Sequence, residues 1–292
     1  MMPASPATIR DVKHATLSQN GQDLHYVTAG ETGTPILLVH GFPESWWAFH
    51  KLIPLLARHH RVIAVDLPGF GDSGTAADVY NSTSMADALA DLIIHLDLGP
   101  VHLSGQDIGG TPAFRLAATH PSLVRSFTAI ETALPGYGFE KFADVANGGI
   151  WHVGFLAAPG IPDMLLQGRM RPFLTDYAYP VMNSTPGAID ARDVAEFERV
   201  FSRDGGLRAT NGVYAALLSE GTEIRALVAD HKLGMPVLAI DAGSGPFTSG
   251  TMAQVAENVS VVTLQGVGHL VAMEAPAVLA DAMLAFYQNL DN

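Results

Sequence analysis

The sequence predicts an α/β fold, a mostly parallel sheet with helices on both faces, and three observations carry that prediction. The runs at 35–39 (PILLV) and 61–65 (RVIAV) are almost continuously apolar, as strands buried on both faces of a parallel sheet must be. Each run ends in a polar or Gly-rich loop, HGFP at 40–43 and DLPGFGDSG at 66–74. Segments with helical periodicity alternate with such runs on both sides of the middle of the chain, the mark of repeated βαβ units.

Taken in order, residues 1 to about 9 read as a loose tail. Strands at 13–18 and 24–28 flank Gln19-Asn20-Gly21, a hairpin turn signal. Helical periodicity over 46–58 joins the first two buried strands. A clearer helix spans 82–96, with Met85, Leu89, Leu92, Ile93 and Leu96 on one face and Gly99-Pro100 ending it. A short buried strand at 101–104 is followed by a helix over 108–120, which tolerates Pro112 in its first turn. Strands at 124–130, 236–240 and 259–264 bring the sheet to about eight strands. The last helix begins near Pro276, with Leu279, Met283, Phe286 and Leu290 spaced to pack on the sheet. Between 135 and 225 the alternation lapses into six of the 18 prolines, several aromatics and short helical patches such as 193–201. The expected organisation is therefore a core domain of residues 1–134 and 226–292, carrying an inserted helical cap at 135–225.

Composition bounds the function. A chain of 292 residues, 48% hydrophobic and 15% charged, can bury a large core. A formal charge of −13 argues against nucleic acid or an anionic membrane as partner. With no cysteine, disulfides, thiolate catalysis and Cys-based zinc sites are excluded. No apolar run is long enough to span a bilayer, and MMPASPATIRDV lacks the apolar core of a signal peptide. A cytoplasmic protein is expected, with export after trimming of a signal peptide as the alternative. Self-association as a homodimer is left open.

The chemistry centres on GQDIG at 105–109, a G-x-D-x-G turn between a strand and a helix. Such an elbow lifts one side chain above the sheet edge, beside the positive end of the helix. Here that side chain is Asp107, a carboxylate that can attack carbon directly. In open α/β sheets the ligand lies beyond the carboxyl ends of the strands, where HGFP, Asp107, Glu131 and His269 all fall. His269 sits in GVGH between the last strand and the last helix. The chain order Asp, acid, His is the hydrolase order of nucleophile, acid and base.

Together HGFP at 40–43, DLPGFGDSG at 66–74, GQDIGG at 105–110 and GVGHLVAMEAP at 266–276 resemble the α/β-hydrolase superfamily over nearly the whole chain. More narrowly, the chain is similar to the aspartate-nucleophile epoxide hydrolases and dehalogenases, with the Cif-like epoxide hydrolases nearest. The loop after strand 236–240 (AGSGP, 242–246) offers no carboxylate where that superfamily usually places its acid. The resemblance therefore implies Glu131 as the acid, with Asp241 as the fallback. It also implies His152, in WHVGF at 151–155, and Tyr214, in NGVY at 211–214, as donors to an epoxide oxygen. The dehalogenase markers are missing: Ile108 stands where haloalkane dehalogenases resembling this chain carry a halide-binding Trp, and Val153 follows the cap histidine.

What the resemblance implies is an epoxide hydrolase that makes a vicinal diol through an Asp107 ester, hydrolysed by water that His269 activates. The backbone N–H groups of Phe42 and Ile108 form the oxyanion hole, and Phe42, Trp47, Trp151 and Phe155 are expected in the pocket wall. The reactants are a small epoxide and water; no metal or organic cofactor is implied. The competing readings are a hydrolytic dehalogenase using the same triad and a hydrolase-fold binding protein with little turnover. Tyr137, Tyr177 and Tyr179 are expected to pack the cap or line its wall, and His40, Pro43 and Asp66 to shape loops.

Overall fold

The two apolar runs lie side by side near the middle of one eight-stranded sheet. A computed structural model describes residues 5–19, 21–76 and 79–291. Its strands are β1 (Lys13–Gln19), β2 (Gln22–Ala29), β3 (Ile36–Val39), β4 (Val62–Val65), β5 (Val101–Gln106), β6 (Val124–Ile130), β7 (Val237–Asp241) and β8 (Val259–Thr263). Their order across the sheet is β1-β2-β4-β3-β5-β6-β7-β8. β2 pairs antiparallel with β1 and β4, and every other pairing is parallel. β3, β4 and β5 are buried at every position, which explains their lack of polar alternation. Of the turn signal between β1 and β2, Gly21 has a φ of 77°, and Asn20 lies outside the described residues.

The strand order fixes where a ligand can sit. From β3 the chain steps one way to β4, then returns past β3 to β5. Right-handed crossovers put those two connections on opposite faces and open a crevice at the carboxyl ends of β3 and β5. The loop after β3 carries His40 to Pro43, and the turn after β5 carries Asp107. The connection from β4 to β5 is the helix Ser82–His95, closed at its start by a capping box between Asn81 and Ser84. It packs on the helix Gly110–Thr119. The periodic stretch over 46–58 is two short pieces rather than one helix, Trp46–Phe49 and Ile53–Leu56. Pro54, which has no N–H to donate, falls in the first turn of the second piece. On the last helix, Pro276–Asp291, the buried face runs through Leu279, Met283 and Tyr287 rather than Phe286 and Leu290. Tyr287 stacks on His102 of β5 at 4.0 Å and shares a 3.0 Å hydrogen bond with Thr128 of β6, so its polar tip is satisfied inside.

Between β6 and β7 the regular structure of the described residues is entirely helical. This excursion is pinned to the sheet domain by polar contacts. Trp47 Nε1 donates to Asp193 at 2.9 Å, and Arg199 grips both oxygens of Asp72 at 2.8 and 2.9 Å. Both partners come from the helix Ala191–Phe201, which Asp190 caps. Among the described residues no helix is long and apolar enough to cross a membrane.

Candidate active site

The turn after β5 is strained where the chemistry needs it. Asp107 has a φ of 50°, a left-handed conformation that non-glycine residues rarely adopt. Gly109 is required beside it, because a Cβ there would sit 2.1 Å from the His40 carbonyl oxygen. Thr132 Oγ1 donates to the Asp107 carbonyl at 2.7 Å and holds the turn from the far side. The carboxylate itself accepts the Phe42 N–H at Oδ2, 2.9 Å away, and is also bonded by the Ile108 N–H. Burial opposes ionisation of Asp107, but His269 and these two N–H groups outweigh it and hold the carboxyl below its ordinary value. The two backbone donors expected as an oxyanion hole thus already face the carboxylate.

His269 Nε2 lies 3.4 Å from Asp107 Oδ1, and its Nδ1 lies 3.2 Å from Glu131 Oε2. Glu131, directly after β6, has a φ of 44° and is almost wholly buried. It also accepts the N–H groups of Ala242 and Ser244 at 2.6 and 3.2 Å, so the acid-free loop after β7 supplies donors instead of an acid. Asp241, the fallback, turns elsewhere: its Oδ1 accepts the Ser249 N–H at 2.9 Å in the first turn of the next helix. Burial alone would lower the His269 imidazole, but Asp107 and Glu131 on its two nitrogens raise it to about 10. Glu131→Gln is therefore expected to cut turnover by about 10²–10⁴-fold, whereas Asp241→Asn should leave it near wild type. Steady-state kinetics on both variants checks this, and the reverse ranking overturns the assignment.

The loop that carries His269 is held by one carboxylate. Glu274 Oε2 accepts N–H groups from Gly268, Ser184 and Thr185 at 2.9, 2.8 and 2.9 Å, and Oε1 accepts that of Leu270 at 3.2 Å. The His269 N–H donates to the Met182 carbonyl at 2.7 Å. Gly268 has no room for a side chain, since a Cβ would meet Glu274 Oε1 and the Met182 oxygen, each at 2.5 Å. Glu44 does a similar service for the loop after β3. It accepts the Gly41 N–H at 3.0 Å and Gln106 Nε2 at 2.7 Å, and burial pushes its carboxyl up to about 7. Neither glutamate was singled out by sequence, because each acts on backbone N–H groups that no motif spacing reveals.

Asp107, Glu131, His269, His152 and Tyr214 all border one cavity of about 110 Å³. His152 comes from the helix Trp151–Ala157 and Tyr214 from Arg208–Leu217, and their rings are 6.4 Å apart. Burial lowers His152 to about 4, so it is neutral near pH 7. Burial and the Asp107 charge raise the Tyr214 phenol well above its ordinary value, which keeps its proton in place. The expected wall residues Phe42, Trp47, Trp151 and Phe155 do not line this cavity. Trp47 is committed to Asp193, Trp151 is 44% exposed, Phe42 packs on Tyr214 at 5.8 Å, and Phe155 packs on Trp151 at 5.4 Å. The wall is instead Phe139, Phe142, Val153, Val181, Met182 and Phe247. Tyr177 exceeds its expected packing role, for its hydroxyl meets His152 Nδ1 at 2.9 Å.

Among the described residues, His25, Asp66 and Asp72 could bring metal-ligand atoms within 4.8 Å of one another. Their atoms are already used: Asp66 Oδ2 meets His25 at 2.7 Å and the Asp72 N–H at 2.8 Å, and Asp72 holds Arg199. None of the three borders the Asp107 cavity. The Phe42-Pro43 peptide is cis, in the loop that presents the Phe42 N–H.

Comparison with known proteins gives the family. A model of the alpha/beta hydrolase fold matches residues 34–276. The soluble epoxide hydrolase of Corynebacterium sp. (strain C12) is 34% identical over 292 residues, covering 96% of this chain and 99% of that one. Among solved structures, Cfl2 from Burkholderia cenocepacia is similar with a TM-score of 0.87 and 32% identity, over 98% of this chain and 100% of that one. The epoxide hydrolase CorEH, solved without ligand, gives a TM-score of 0.81 at 30% identity, over 96% and 99% of the two chains. With a family model that matches residues 34–276, most of its length, the chain belongs to the alpha/beta hydrolase fold family.

Proposed function

We propose that the protein is an epoxide hydrolase that converts small uncharged epoxides to vicinal diols through an ester on Asp107. The observation that carries this reading is the content of the cavity: Asp107 with its partners His269 and Glu131, two uncharged hydrogen-bond donors in His152 and Tyr214, and a wall that is apolar apart from Ser244 and holds no lysine or arginine. A departing alkoxide needs such donors, and a positioned acid contributes about 10²–10⁴-fold. A haloacid would need a cation for its carboxylate, and the one that borders the cavity, His269, is already paired with Asp107 and Glu131. The epoxide hydrolases named among the relatives support the same choice.

In the proposed sequence Asp107 Oδ1 attacks a ring carbon while the C–O bond breaks. The ring oxygen takes a proton passed through the His152 and Tyr214 donors. His269, protonated in the resting enzyme, gives up one proton in compensation. The neutral ester no longer supports the charge on its imidazole, so the His269 value falls and the ring becomes a base. His269 then takes a proton from water, hydroxide adds to the Asp107 carbonyl carbon, and the oxyanion forms against the N–H groups of Phe42 and Ile108. Collapse expels the diol and restores the ion pair. Residues 135–225 serve in this scheme as the cap that closes the apolar wall and supplies both donors.

The test is a product screen of small aliphatic epoxides beside haloacids and haloalkanes. Diol from epoxides, with no halide released from the others, is the expected result. Halide release without diol would replace this reading with the dehalogenase, and ligand retention with no product at all would favour a binding protein.

A further inference from the structure

We propose that Tyr177 is a positioning residue for ring opening: its phenol donates to Nδ1 of His152 and so keeps the His152 proton on Nε2. The inference rests on the reading of His152 as a donor to the epoxide oxygen and adds to it the group that makes His152 a donor at all. A neutral imidazole has one N–H and one bare nitrogen, and the hydrogen bond at one nitrogen decides the state of the other. With the proton on Nδ1, Nε2 would be an acceptor facing another acceptor, the ring oxygen, and the histidine would be useless in this step. With a phenol O–H on Nδ1, Nε2 must carry the proton. A phenol is the stronger acid and imidazole the stronger base, so O–H to N is the favoured sense of a phenol–imidazole bond.

The backbone is built for this contact. Tyr177 lies in the segment Phe173–Ala178, which is wound as a π-helix, and the Tyr179 N–H reaches back five residues to the Leu174 carbonyl. Such wide turns are uncommon and often mark functional positions, because the extra residue redirects the side chains that follow. The Tyr177 ring is held without help from its hydroxyl, packed on Trp151 at 4.6 Å and on Phe173 at 5.6 Å. It meets His152 edge-on at 75°, with the hydroxyl 2.9 Å from Nδ1. Tyr177 does not border the cavity, so it acts through His152 rather than on the substrate. His152 is buried and carries no charge near pH 7, so tautomer rather than charge is what a partner can set.

Tyr177→Phe tests this, since it removes the hydroxyl and keeps the packed ring. In full-length protein with ¹⁵N-labelled histidines, the His152 signals are identified by their loss in His152→Phe. Wild type should show Nε2 protonated and Nδ1 bare, and Tyr177→Phe should shift His152 toward a mixture of tautomers. A His152 with its proton on Nδ1 in wild type, or the same tautomer in both proteins, overturns the proposal without any substrate. The second readout is the ester-forming rate on an epoxide that wild type turns over. Tyr177→Phe should slow it about tenfold, the lower end of what losing the partner behind a metal-bound histidine costs, with KM little changed. If His152→Phe is as fast as wild type, the donor reading of His152 fails, and with it a catalytic use for Tyr177. If His152→Phe is slow and Tyr177→Phe is not, only the Tyr177 proposal fails.

Discussion

His269→Gln, mixed with a small epoxide, is expected to accumulate enzyme heavier by the mass of the whole epoxide, with the added group on Asp107. In the proposed sequence ring opening uses the Asp107 carboxylate and the cavity donors, and the proton that His269 supplies in that step can come from solvent instead, whereas the activation of water has no substitute for His269. Losing the base should therefore slow hydrolysis by about 10²–10⁴-fold while ester formation continues. Intact-protein and peptide mass spectrometry read the result. A halide displacement would add the substrate minus its halogen, so the added mass alone separates the two chemistries. The pH dependence has a definite sign. His269 is the strongest of the contacts that hold the Asp107 carboxyl low, and in the Gln variant the burial that opposes ionisation is less well opposed. Ester formation by His269→Gln should therefore fade at a higher pH than in wild type as the solution is made acid. An unmodified Asp107 on an epoxide that wild type hydrolyses would remove the ester from the scheme.

Asp107→Ala should abolish diol formation, by about 10⁴-fold or more, because the covalent route loses its only nucleophile. The companion measurement follows the oxygen. In ¹⁸O water, with enzyme in excess over epoxide, the first diol should contain no ¹⁸O, since the oxygen added to carbon comes from Asp107 Oδ1. The label should appear in the Asp107 carboxylate instead. Labelled diol in that single turnover would mean direct attack by water on the ring. Asp107 would then be a general base, and its φ of 50° would serve orientation rather than attack.

Most of the sheet was legible because a strand buried on both faces leaves little choice of residue: β3 and β4 are read straight from their apolar runs. The meeting of Asp107, Glu131 and His269 was legible because strand ends are fixed points, so the three positions could be brought together without knowing the connections between them. The cavity wall was not. Phe139, Phe142, Val181 and Met182 stand on short or irregular pieces where side-chain direction follows no period. The aromatics chosen from sequence were large and conspicuous, but size predicts burial, and Trp47 is buried for Asp193 rather than for a ligand. Tyr177 depends on one extra residue in a helical turn, which neither composition nor spacing announces. Tyr287 over Phe286 is a smaller case of the same limit: a one-residue drift along the last helix, decided by a hydroxyl that found Thr128.

The glutamate behind the histidine loop bears on how far this protein is modular. A helical excursion between two strands looks like a part that could be exchanged for another to change substrate range. Glu274 ties the backbone at 184 and 185 to the backbone at 268 and 270, and Met182 accepts the N–H of His269. A graft that replaced 135–225 without reproducing that stretch would strip Glu274 of two of its four donors and leave His269 N–H unpaired. The chimera would gain a new wall and lose the alignment of His269. Redesign of the pocket is better confined to Phe139, Phe142, Val153 and Phe247, which border the cavity and take no part in that joint.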